Sequence, residues 1–105
     1  MGEIPVTVTE TIAEYIRALK KNNINVNQAI LFGSYAKGNY SEWSDIDLAV
    51  VSEAFEGSWI KDRKKIRAIT LSISSDIQVL PYRPEDFKSD DPFVKEIIET
   101  GIRLH

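Results

Sequence analysis

The chain has 105 residues, 43% of them hydrophobic and 28% charged, a composition that fits one globular domain with a modest core and argues against intrinsic disorder. It contains no cysteine and one histidine, the terminal His105, which excludes disulfides, thiolate metal sites, cysteine nucleophiles and multi-histidine zinc centres. Sixteen Asp and Glu against thirteen Lys and Arg give a net charge of −3, the wrong sign for a nonspecific nucleic-acid binder.

At the N-terminus, Val6 breaks the myristoylation pattern that Met1-Gly2 begins, and no basic-then-apolar leader follows. No apolar stretch approaches the roughly 20 residues of a membrane span, so a cytoplasmic protein is expected. Thr7 with Glu10 has the spacing of a capping box and predicts a helix starting near Val8. Ile12, Tyr15, Ile16 and Leu19 continue it at helical spacing, Lys20-Lys21 suit its C-terminus, and Asn22-Asn23 end it. Gln28 to Phe32 is a short buried strand stopped by Gly33, followed by a short helix from Tyr35 to Gly38. Asp45 to Ser52 is a second strand, whose run Leu48-Ala49-Val50-Val51 implies burial on both faces. Glu53 to Gly57 is a loop. Gly57 or Ser58 opens a basic helix to Leu71, and Asp76 to Leu80 is a third strand that Pro81 and Pro84 break. Pro84 to Phe87 is a helical turn. Pro92 to Thr100 is a final helix with Gly101 at its C′ position, and Ile102 to Leu104 forms a short edge strand. This order predicts an α/β (α+β) fold, residues 1–105 forming one domain with helices packed on a small mixed sheet.

The chemistry gathers between the first two strands. Gly33 lets the chain turn with its amides exposed, and Ser34 adds a hydroxyl donor; successive N–H groups at a helix start form an anion-binding concavity. Lys37 could add positive charge. Asp45 and Asp47 alternate along the strand and share a face, roughly 6.5–7 Å apart along the backbone. Two close carboxylates repel, and a hard divalent cation such as Mg²⁺ is the simplest compensation. Asp76 opens the third strand; if that strand lies beside the second, three carboxylates meet at one sheet end and a two-ion site becomes available.

Gly33-Ser34 followed by Ser44-Asp45-Ile46-Asp47-Leu48 resembles the signature of the DNA polymerase β-like nucleotidyltransferase superfamily. The short form Gly33-Ser34-Tyr35-Ala36-Lys37-Gly38 is similar to the minimal nucleotidyltransferases (MNT) often encoded beside a helical HEPN-domain partner. The resemblance spans nearly the whole chain and implies a polymerase β palm-like fold. It implies that Gly33 and Ser34 contact the triphosphate and that Asp45 and Asp47 bind two Mg²⁺ ions. It implies too that Asp76 helps bind one ion and acts as base toward the acceptor hydroxyl. It further implies AMP transfer from ATP to a tyrosine on a HEPN-type toxin, which makes this chain an antitoxin. Lys37 departs from the pattern, since relatives often carry Arg there: charge is kept and bidentate phosphate contact is lost. Because the chain ends at His105 where larger relatives continue, a partner chain or a homodimer is expected to complete the wall of the site.

Other residues read as structural. Tyr40 and Trp43 flank the site loop, with packing favoured over base stacking; Trp59 is expected to dock its helix. Lys61 to Arg67 is expected to be a solvated face, and Gln78 lines the site or sits on a wet face. Gly33 and Gly38 have Walker-loop spacing, but Asn39-Tyr40 stand where that loop needs Lys-Ser/Thr. Two alternatives stand beside the enzyme reading: a non-catalytic module that neutralises a partner by contact, and nucleotidyl transfer to a small molecule such as an antibiotic.

Overall fold

The structure is a computed structural model and describes residues 4–105; the reading of Met1-Gly2 lies outside the described residues. The elements run α1 (Val6–Lys21), β1 (Gln28–Phe32), α2 (Ser34–Lys37), β2 (Ile46–Val51), α3 (Trp59–Ile73), β3 (Ile77–Tyr82), a 3₁₀ turn (Pro84–Asp86), α4 (Pro92–Thr100) and β4 (Ile102–Arg103). The strands form one mixed sheet in the order β3-β2-β1-β4. β1 pairs antiparallel with both β2 and β4, while β2 and β3 are parallel. The parallel pair needs a crossover, and α3 supplies it.

Side-chain alternation sorts the core between the two faces. Leu31, Leu48, Val50, Ile77 and Val79 pack with Ile12, Tyr15 and Leu19 of α1 and Ile66 of α3. Ile30, Ala49 and Val51 point the other way and pack with Val94 and Ile97 of α4 and with Phe87. Both faces of β2 are therefore covered, as its continuous apolar run requires. No helix among the described residues is long and apolar enough to cross a membrane.

Four expectations are corrected. The capping box does not form: α1 begins earlier, with Pro5 at the N-cap accepting the Val8 and Thr9 amides. Thr7 lies inside the helix, where its carbonyl accepts the Thr11 hydroxyl. Pro81 does not break β3, which runs on to Tyr82. The Asp76 and Tyr82 carbonyls both accept β2-side amides, so even-numbered residues of β3 pair inward. Pro81 faces the open edge, where a missing N–H costs nothing. Gly101 caps α4 in an extended conformation, φ −79° and ψ 169°, not a left-handed one. Its smallness matters because a β-carbon would stand 2.6 Å from the Ile30 side chain and 3.1 Å from the Leu31 carbonyl. Asp45 precedes β2 and is not part of it.

Candidate active site

The site lies where β1 ends and β2 begins, on the sheet face that carries α4. β1 runs into Gly33, whose φ of 73° and ψ of −148° redirect the chain into α2. Few residues other than glycine adopt this conformation. Within α2 the Lys37 and Gly38 amides bond to the Gly33 and Ser34 carbonyls. The Ser34, Tyr35 and Ala36 amides are the first-turn groups that such bonds leave over, and among the described residues no side chain caps them.

Antiparallel pairing sets Phe32 opposite Asp47. The turn and the carboxylate consequently touch: a β-carbon at Gly33 would collide with Asp47 Oδ2 and lie 3.2 Å from its Cγ. Asp45 is brought in by the Ser41–Ser44 turn, in which the Ser44 amide donates to the Ser41 carbonyl (3.1 Å) and the Ser44 hydroxyl accepts the Ser41 amide (2.8 Å). Asp47 is half-buried. Burial first, and the Asp45 charge second, push its carboxyl above the ordinary value.

Asp76 arrives through the parallel pair. Ile46 is in register with Ile77, which sets Asp45 against Asp76 one step earlier, and the Asp76 carbonyl accepts the Ile46 amide at 2.8 Å. The three carboxylate-bearing residues are thus neighbours at one end of two strands. Their side chains are not gathered into a cluster: among the described residues, no three acid, histidine or cysteine side chains stand close enough to hold a metal ion. The pair that interacts is Asp45 with Asp47. Two hard oxygen donors that repel each other, one of them partly desolvated, suit a hard divalent cation that completes its shell with water and phosphate oxygens. Gln78 faces Asp47 in register and is exposed.

Residues 12–104 match the family model of the nucleotidyltransferase domain. The chain belongs to that family. Two relatives from Methanocaldococcus jannaschii bear the name "putative protein adenylyltransferase". One, MJ0604, is 47% identical over 45 residues, 42% of this chain and 45% of that relative. The other, MJ0141, is 35% identical over 77 residues, 67% of this chain and 76% of that relative. The chain therefore aligns with less than half of the first relative's length and about three-quarters of the second's. A toxin–antitoxin crystal structure with AMP-PNP shares the fold at a TM-score of 0.63 and 23% identity, over 92% of this chain and 72% of that one.

Around this candidate site, some side chains follow their sequence reading and others depart from it. Lys37 pairs with Glu96 of α4 at 3.8 Å, both ends about half-exposed; Glu96 carried no motif and only the tertiary packing of α4 brings it there. Tyr40 does pack, stacking on buried Tyr35 with centroids 4.7 Å apart. Trp43 does not pack: it is 86% exposed at the tip of the turn preceding Asp45. Trp59 is also half-exposed, its ring facing the Arg63 guanidinium at 5.2 Å. Asp62, which no motif singled out, is buried within the basic stretch, and its two oxygens accept the Glu56 and Gly57 amides at 2.8 and 2.9 Å.

Proposed function

We propose that this nucleotidyltransferase moves an adenylyl group from ATP to a protein hydroxyl, the acceptor being a tyrosine of a HEPN-type toxin for which this chain is the antitoxin. The observation that carries the reading is the contact between Gly33 and Asp47, which puts uncapped amides for phosphate oxygens directly beside a repelling carboxylate pair. The names of the two archaeal relatives favour adenylyl transfer to protein. The toxin–antitoxin neighbour with AMP-PNP favours an adenine nucleotide and a toxin partner.

In this reading the first-turn amides of α2 and the Ser34 hydroxyl bind the triphosphate oxygens. Asp45 and Asp47, with Asp76 contributing, would hold Mg²⁺, which when bound neutralises phosphate charge and favours the ionised acceptor. Lys37 supplies further charge by leaving Glu96, since an exposed pair of this kind contributes at most about 1 kcal/mol. Asp76 takes the proton of the acceptor hydroxyl, whose oxygen bonds to the α-phosphorus as the bond to pyrophosphate breaks. Catalysis is positioning plus electrostatics. A partner chain or a second copy completes the open side.

The test is transfer of label from α-phosphate-labelled ATP to the partner with Mg²⁺ present. Label on a partner tyrosine is expected, and none with the Asp45→Asn/Asp47→Asn variant. An unlabelled partner, or labelling that persists in the variant, would sink the reading.

A further inference from the structure

A groove of about 470 Å³ runs between the outward face of α3 and the outer edge of β3. Among the described residues its strand side is unpaired: β3 ends the sheet, and the inward pairing of its even-numbered residues turns the Ile77 and Val79 backbone groups toward the groove. Pro81, with no amide, closes that edge at one end. Such an edge accepts an added strand.

The helix side states which strand. Arg63, Lys64 and Arg67 line the groove and are exposed, in a chain whose net charge is −3. The single acid of α3, Asp62, is buried and bonded to loop amides, so it does not offset them. Among these bases stand Trp59, Ile60 and Leu71, 48%, 67% and 56% exposed. Free backbone groups, three cations and interleaved apolar surface complement an extended peptide that carries both acidic and apolar side chains. A nucleic acid would use the cations and leave the strand edge and Ile60 and Leu71 unmatched.

We infer that the groove docks an extended acidic segment of a protein partner as a fifth strand on β3. Ser75 and Gln78 at the groove's end flank Asp76, so the docked segment delivers its hydroxyl to the carboxylate end of the sheet. In that respect the inference rests on the protein-acceptor reading and specifies the acceptor's chemistry.

The experiment is an NMR titration of the isotope-labelled chain without ATP or Mg²⁺. The probes are a blocked peptide Glu-Val-Glu-Tyr-Glu-Val-Glu, its counterpart with Lys for Glu, and a uridine oligonucleotide. The acidic peptide is expected to shift the Ile77 and Val79 amides and the Trp59 indole, and the Lys peptide to leave them in place. Arg63→Gln with Arg67→Gln, both exposed and so compatible with folding, should weaken binding about tenfold or more. Absence of binding, shifts elsewhere, undiminished affinity in the double variant, or tighter binding of the oligonucleotide at these residues would each overturn the inference. Because no nucleotide is present, its failure leaves the transfer reading standing. Failure of labelling with docking intact strikes the transfer reading alone.

Discussion

At Gly33 two constraints coincide: the backbone has φ 73° and ψ −148°, and the space a β-carbon would need is held by the Asp47 carboxylate. Gly33→Ala should therefore lower unfolding free energy by roughly 1–3 kcal/mol, read as a lower urea midpoint, and abolish ATP binding as well. Asp47 is predicted to behave in the opposite way. Its carboxyl is raised by burial and by Asp45, so the folded state binds the proton more tightly than the unfolded chain does. Its contribution is fullest below the ordinary carboxylate pKa and is lost as pH rises through the raised value. At neutral pH without divalent ions, Asp47→Asn should raise the melting temperature while eliminating transfer; a fall would show that the charge is not a liability in the metal-free fold. Alternation made this pair legible in the sequence, because i and i+2 share a face of extended chain and Asp45 leads directly into β2. Glu96 beside Lys37 and the exposure of Trp43 were not legible, since they depend on where α4 and the Ser41–Ser44 turn come to lie.

At the scale of elements, punctuation was readable wherever glycine, asparagine or serine imposes a local conformation. β1 is bounded as expected, Asn23 takes a left-handed φ of 66° after α1, and the Ser58 hydroxyl accepts the Lys61 amide at the start of α3. It failed where tertiary position decides. Pro81 is tolerated because β3 is an edge strand, and sequence spacing carries no information about edges. The joint between α1 and α3 shows the same dependence. Tyr15 is fully buried and donates to the Thr70 hydroxyl at 2.7 Å, whose own proton goes to the Ile66 carbonyl. Burial pushes the Tyr15 phenol up to about 12, outweighing the hydrogen bond. The unfolded chain ionises first, so this stability is complete below pH 10 and is lost as pH rises toward 12, on the order of 2–3 kcal/mol. Chemical denaturation across that range should show the decline. In Tyr15→Phe it should be flatter, the remaining slope including Tyr82, whose phenol is also raised by burial and by Asp91. At neutral pH the same variant should lose about 1 kcal/mol for the missing hydrogen bond. An unchanged alkaline slope would place the titrating group elsewhere.

For the molecule as a whole, the expected mixed sheet is present, but its strand order and the choice of the antiparallel β1–β2 pair over a parallel one come from packing α1 and α3 on one face and α4 on the other. That order has a functional consequence. It makes the site a seam between elements far apart in sequence: the β1–α2 turn, the start of β2 and the start of β3. Ligand binding at a seam of this kind stabilises the folded state and not the unfolded chain, whose segments are no longer juxtaposed. With ATP and Mg²⁺ at about 100 times the dissociation constant, the added stability should be about 2.7 kcal/mol. For a chain of this size about 1 kcal/mol moves the melting temperature by roughly 4–8 °C, so a rise of roughly 10–20 °C is expected in a thermal melt. ATP without Mg²⁺ should give a smaller rise, because the triphosphate then meets the bare Asp45 and Asp47 charges. The Asp45→Asn/Asp47→Asn variant should lose the dependence on Mg²⁺ while keeping part of the response to ATP, since the amides of α2 remain. A wild-type melting temperature indifferent to both ligands would show that the Gly33 turn and the carboxylate pair, though adjacent, do not act together as a triphosphate site.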